Sequence, residues 1–133
     1  MSDLMPLFLN LTGREVLLVG AGRVAAGKLG QLLAAGARVR VVAPDVLPEI
    51  EQGGADVTVV RRGFEPDDLD GVWLVVAAAT PEVNRAVAAA AESRRVFVNA
   101  VDDPANASAF LTGVVRRSGV TLAISTSGEA PAL

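Results

Sequence analysis

The sequence has no cysteine and no histidine among its 133 residues. Without cysteine there is no disulfide framework and no thiolate chemistry. Without histidine the chain lacks the commonest general base near neutral pH and the commonest transition-metal ligand. Proton transfer is left to carboxylates, hydroxyls or a substrate's own groups. Lysine is almost missing too, Lys28 standing alone among 12 basic residues. The net charge of -3 argues against a nucleic-acid-binding surface. No apolar run approaches the ~20 residues of a membrane-crossing helix. The opening stretch, Met1 to Phe8, lacks the basic start and long apolar core of a secretory signal. A soluble, cytoplasmic protein is expected, with no membrane or nucleic-acid partner.

What is present is a globular composition, 51% hydrophobic and 20% charged, long enough for one domain with a core of its own. The most informative stretch is Val16-Leu17-Leu18-Val19-Gly20-Ala21-Gly22-Arg23-Val24-Ala25. An apolar strand ends in a Gly-x-Gly-x-x-Ala turn and runs straight into a helical segment. Gly20 permits the tight turn, Gly22 admits a phosphate close to the backbone, and Ala25 lets helix and strand pack closely. A dinucleotide pyrophosphate then sits at the helix N-terminus, where unpaired N–H groups and the helix dipole favour anions.

Strands are expected over Glu15 to Gly20, Arg38 to Ala43, Asp56 to Arg61, Val72 to Ala78 and Val96 to Ala100. Helices are expected over Val24 to Ala35 and Pro81 to Arg94, with shorter turns at Leu47 to Gln52 and Glu65 to Leu69. Val24, Leu29, Leu32 and Leu33 are read as the sheet-facing stripe of the first helix. Thr80 is the expected N-cap of the long alanine-rich helix, with Pro81 at its first position. The alternation predicts a Rossmann-like, doubly wound parallel α/β sheet with its first and fourth strands adjacent at the switch point. Phe110 to Val115 and Val120 to Ser125, joined by Arg116-Arg117-Ser118-Gly119, read instead as a β-hairpin that packs on the sheet or pairs with another subunit. Residues 1–108 are thus expected to form the nucleotide-binding domain and 109–133 the hairpin of a dimerisation and substrate region.

Three clusters carry the expected chemistry. The ribose-binding acid that usually ends the second strand is displaced here, since Ala43-Pro44 occupy that place and Asp45 is the first acid. No arginine follows to receive a 2′-phosphate, which favours NAD over NADP. Arg23 lies beside the pyrophosphate position. Asn99-Ala100-Val101-Asp102-Asp103-Pro104 follows the fifth strand, making Asp102 the best general-base candidate, with a turn-forming role as the alternative. Ser125-Thr126-Ser127-Gly128 offers hydroxyls and backbone N–H groups to a carboxylate, or is a plain surface turn.

In order along the chain, Leu7-Phe8 with Leu11, Gly20 to Ala25 with Lys28, and Val41-Val42-Ala43-Pro44 form one pattern. Trp73, Ala77-Ala78-Ala79-Thr80 with Val83-Asn84, Asn99 to Asp102, Ala107-Ser108-Ala109-Phe110 and Ser125 to Gly128 with Pro131 continue it. Across essentially its whole length the chain resembles the precorrin-2 dehydrogenase and sirohydrochlorin ferrochelatase family, the N-terminal module of siroheme synthases. The resemblance implies NAD-dependent oxidation of precorrin-2 to sirohydrochlorin in a homodimer, with Fe²⁺ insertion in some members. It implies NAD contacts at Gly20, Gly22, Arg23, Val24, Pro44 and Asp45, and catalysis at Asp102. Substrate contacts are expected at Asn99, Ser125, Thr126, Ser127 and Gly128, with Arg116 and Arg117 as further partners for the tetrapyrrole's carboxylates. No stable protein metal site is expected. Family members continue past an Ala-Pro-x-Leu motif into a helical region; the chain stops at Leu133 within it, so a truncated segment is expected. The alternatives are a regulatory nucleotide-binding module, like the cytoplasmic sensor domains of potassium channels and transporters, and an inert scaffold subunit.

Overall fold

A computed structural model describes residues 2–125. Five parallel strands, β1 (Glu15–Val19), β2 (Arg38–Val42), β3 (Val57–Val60), β4 (Leu74–Ala77) and β5 (Phe97–Ala100), lie in the order β3-β2-β1-β4-β5. The chain reverses direction across the sheet between β1 and β4, which pair directly from Val16↔Leu74 to Val19↔Ala77. Two helices and a helical turn of four residues cover the faces: α1 (Arg23–Ala34), α2 (Pro48–Glu51) and α3 (Pro81–Arg94).

Both faces of the central strands are buried, as their unbroken apolar sequences require. Val16 and Leu18 of β1 pack with Val39, Val41, Leu74 and Val76 beneath Ala25, Leu29 and Leu32 of α1 and Ile50 of α2. Leu17 and Val19 face the other way, toward Val75, Ala77 and Val98, with Val87 and Ala91 of α3 and Leu69 of a 3₁₀ turn (Pro66–Leu69) closing that layer. α1 and α3 therefore lie on opposite faces, and the doubly wound Rossmann-like reading is borne out. Thr80 caps α3 as expected, its hydroxyl accepting from the Val83 N–H at 3.3 Å. No described helix is long and apolar enough to cross a membrane.

The structure departs from the sequence reading in three places. Strand ends are shorter by a residue or two: Gly20, Ala43 and Ala78 lie beyond the ladders that the apolar runs suggested. α1 begins at Arg23, so Val24 lies in the first turn, 53% exposed, outside the sheet-facing stripe. The hairpin is tighter than expected. β6 (Val114–Arg117) and β7 (Val120–Ala123) are joined by Ser118 and Gly119 alone, both at positive φ (51° and 80°). Two positive φ angles let a two-residue turn match strand twist, which is why glycine follows a small polar residue there. Arg116 and Arg117 belong to β6 and not to the turn. The hairpin does not pack on the sheet: every residue of β6 and β7 is exposed, including Val115, Val120 and Leu122.

Candidate functional site

The site is assembled at the carboxyl rim of the parallel strands, beginning with the turn after β1. Gly20 donates its N–H to the Val42 carbonyl at 3.0 Å, and Ala78 donates to the Val19 carbonyl at 2.8 Å, so the turn is clamped between β2 and β4. Gly20 has φ +110°, and a Cβ on it would lie 2.3 Å from the Ala78 carbonyl oxygen. Only glycine fits. Gly22, in contrast, is the N-cap of α1 and a Cβ there would meet open space. No side chain caps α1, and its first turn carries no acidic residue. The first N–H groups of a helix have no intrahelical partner, and no described side chain caps them here, so this terminus has the polarity that favours an anion.

The loop after β2 is tied to the same turn by the Leu47 N–H donating to the Ala21 carbonyl at 3.1 Å. Pro44 and Asp45 are exposed on this side of β1. Arg23 is exposed at the start of α1 and makes no side-chain hydrogen bond or ion pair among the described residues.

On the other side of β1 an open cleft is lined by Val24, Ala78, Ala79, Asn84, Val101 and Asp102. Val24 comes from α1, Ala78 and Ala79 follow β4, Asn84 comes from α3, and Val101 and Asp102 follow β5. Val101 extends the sheet contact by donating to the Ala77 carbonyl at 3.0 Å. The chain then turns, with the Asp103 N–H reaching the Ala100 carbonyl at 3.2 Å and Asp102 held at φ +56°. An aspartate tolerates that left-handed conformation better than most residues, at a cost of order 1 kcal/mol.

The two adjacent aspartates, alike in sequence, have different surroundings. Asp103 accepts from Asn106 Nδ2 at 2.7 Å and locks the following turn. Asp102 makes no side-chain hydrogen bond or ion pair among the described residues; it is exposed and lines the cleft.

Asn99, expected at the substrate, lies behind the cleft lining. It is 6% exposed, and its Nδ2 donates to the Ala109 carbonyl at 3.0 Å. Residues 107–109 strap the edge of β5: Ser108 and Ala109 both donate to the Val98 carbonyl, and Ser108 Oγ accepts from the Val98 N–H at 2.9 Å. Ser125 is exposed beyond β7, and Thr126, Ser127 and Gly128 lie outside the described residues.

The sequence reading missed Asn84 as a site residue. It is 4% exposed, and its Oδ1 accepts from the Ala79 N–H at 3.0 Å. Asn84 shares a helix stripe with Val87 and Ala91, the other buried residues of α3. A polar residue on that stripe was the signal, since buried polar groups need a reason. A second unforeseen group is structural. Asp68, 3% exposed, takes hydrogen bonds from both terminal nitrogens of Arg62, at 2.9 and 2.7 Å, and from the Glu65 N–H at 2.8 Å. Its own backbone carbonyl accepts from Arg40. The Arg62 guanidinium holds the Asp68 carboxyl below the usual carboxylate range, and Arg62 is raised in return.

Comparison with known proteins follows the same lines. A family described as "Putative NAD(P)-binding" matches residues 7–113. The chain is similar to "Siroheme synthase 1" of Aeromonas hydrophila subsp. hydrophila, 45% identical over 136 residues that cover 98% of this chain and 29% of the relative. It is 42% identical to the siroheme synthase of Photorhabdus laumondii subsp. laumondii over 98% of this chain and 28% of that protein. The chain therefore spans less than a third of these curated relatives. Among solved structures, "SirC, precorrin-2 dehydrogenase" aligns with a TM-score of 0.77 at 29% identity, over 96% of this chain and 64% of that one. The resemblance read from the sequence is borne out.

Proposed function

This chain belongs to the NAD(P)-binding family matched over residues 7–113, and on that premise we propose that it is an NAD-dependent dehydrogenase that oxidises precorrin-2 to sirohydrochlorin. The observation that carries the proposal is the cleft itself: the first turn of α1, through Val24, and the free carboxylate of Asp102 line one opening on the carboxyl rim.

The residues present fit a nicotinamide dinucleotide. The α1 N-terminus, uncapped and without acids, receives the pyrophosphate, and Gly22 leaves its approach clear. Arg23 adds a cation beside it. Asp45, with Pro44 before it, lies where the adenosine ribose is held. The loop after β2, Ala43-Pro44-Asp45-Val46-Leu47, contains no arginine for a 2′-phosphate, which supports NAD over NADP.

When bound, NAD supplies the two-electron acceptor of the oxidation. The chain's own contribution is placement and proton removal. Asp102 takes the proton that the tetrapyrrole loses, its carboxylate being unpaired and reachable from the cleft. Asp103, bound by Asn106, fixes the turn that follows Asp102. The acidic macrocycle is received by Ser125 to Gly128 and by Arg116, whose guanidinium group matches carboxylates, while Arg117 lies on the opposite face of β6, that of Val115 and Val120. β6 and β7 touch a second copy of the chain, which covers the exposed Val115, Val120 and Leu122. In this reading residues 1–108 hold the nucleotide and 109–133 begin the dimer and substrate region. Fe²⁺ enters as a second substrate if Asp102 also takes pyrrole protons during insertion.

The test is absorbance after mixing the protein with precorrin-2 and NAD, with and without Fe²⁺. NADH and sirohydrochlorin appearing together support the proposal, and a change to the siroheme spectrum adds iron insertion. Nucleotide binding with no turnover supports a regulatory module instead.

A further inference from the structure

We infer that Asn84 donates the hydrogen bond that fixes the nicotinamide end of the bound dinucleotide, an assignment that rests on the dinucleotide reading above. A dinucleotide laid across a doubly wound sheet crosses at the switch point, with its adenosine half over β2 and its other half over β4. The cleft of Val24, Ala78, Ala79, Asn84, Val101 and Asp102 lies on the β4 side. Ala78 and Ala79 are small and leave room for a flat ring. Among the six lining residues, only Asn84 carries a side-chain N–H donor.

The orientation of that donor is settled by its neighbour. A backbone N–H can only donate, so the Ala79 N–H at 3.0 Å must face the amide oxygen of Asn84 and not its nitrogen. Nδ2 is thereby turned the other way. It has no partner among the described residues, and it is not sealed either, the sealed unpartnered side-chain atoms being Arg40 Nε and Asn99 Oδ1. Asn84 as a whole is 4% exposed, so this is a fixed donor at the floor of a cleft. The nicotinamide carboxamide brings a carbonyl acceptor of matching chemistry, which adenosine diphosphate ribose lacks.

The discriminating variant is Asn84→Asp, measured at pH 8 so that the carboxylate is ionised. It keeps an oxygen for the Ala79 N–H and removes the donor. NADH affinity, read by its fluorescence, is expected to fall about tenfold, while ADP-ribose affinity, read by calorimetry, stays within about twofold. Asn84→Ala, which removes both functions, is expected to lose at least as much NADH affinity. Equal loss of both ligands in Asn84→Asp, or NADH binding like the unaltered protein in Asn84→Asp with loss only in Asn84→Ala, overturns the assignment in favour of a loop-holding role. A ligand-side measurement needs no variant: thio-NADH, whose C=S accepts poorly, should bind the unaltered protein several-fold more weakly than NADH, and equal binding overturns the assignment. Failure of the unaltered protein to bind either NADH or ADP-ribose overturns the dinucleotide reading itself; binding of ADP-ribose with no gain from the nicotinamide overturns only the role of Asn84.

Discussion

Val24, in the first turn of α1, and Asp102, beyond the end of β5, line the same cleft although most of the chain lies between them. β4, inserted next to β1, and β5, beside β4, bring them together. The uncapped first turn of one helix and an aspartate with no side-chain partner among the described residues thus share an opening.

Asp102→Asn should abolish formation of NADH and sirohydrochlorin, a loss of about 10²–10⁴-fold if Asp102 is the base. NAD affinity and melting temperature should stay close to those of the unaltered protein, because asparagine also tolerates φ +56°. Asp102→Ala should lose activity and also about 1 kcal/mol of stability, since alanine is strained there. Steady-state assays and denaturant melts separate the two losses. Turnover retained in Asp102→Asn would remove the aspartate from the mechanism.

Gly20→Ala should destabilise the fold by about 2–4 kcal/mol. Its Cβ would lie 2.3 Å from the Ala78 carbonyl oxygen, on a backbone already at φ +110°. Urea unfolding gives the value; a loss below about 1 kcal/mol would mean that the turn between β1 and α1 is far softer than its hydrogen bonds suggest.

Gly22→Asp should move stability and binding in opposite directions. The new carboxylate caps α1, which has no side-chain cap, and aspartate for glycine at that position is worth a few tenths of a kcal/mol. The same charge occupies the proposed phosphate position, so NAD affinity should fall at least tenfold. Calorimetric titration beside a thermal melt reads both, and undiminished NAD binding would move the pyrophosphate elsewhere.

Stability should fall in acid through Asp68. Hydrogen bonds from Arg62 lower its folded pKa below the unfolded value, so its contribution is fully present above the ordinary carboxylate range near pH 4. It is lost as pH falls through the lowered folded pKa. Asp68→Asn should flatten the acid limb of a stability-versus-pH curve and leave the limb above about pH 6 unchanged in slope. An identical acid limb in the variant would show that Asp68 is not the group responsible.

Leu122→Lys should yield a monomer under conditions where the unaltered protein sediments as a dimer. Val115 and Leu122 are cross-strand partners, and with Val120 they form an exposed apolar face of the hairpin. Two strands are marginal alone. Sedimentation equilibrium decides; an unaltered protein that is monomeric at high concentration would remove the hairpin from dimer formation.

Much of this architecture was legible along the chain. The apolar runs of β1 and β4 mark strands buried on both faces, and the order of strands, glycine turn and helices predicts the doubly wound sheet. Thr80 and Pro81 announce the start of α3 because capping chemistry is local. Val24 falls outside the core because the buried stripe of α1 runs through Ala25, Leu29 and Leu32, one position off the spacing read from the sequence. Asp102 and Asp103 could not be distinguished by type; the turn that ties Asp103 to Asn106 separates them. The pairing of Arg62 with Asp68, and the amide of Asn84 on Ala79, depend on where loops meet.

The amino-acid order alone determined the elements and the glycine turn between β1 and α1, because strand burial, glycine φ and helix capping are written in neighbouring residues. Which aspartate stayed free, which asparagine became buried and which valine turned outward were decided only by tertiary structure. Those outcomes depend on contacts between segments far apart in the chain, and such contacts exist only once β4 has inserted beside β1 and set the ends of α1, α3 and β5 around one cleft.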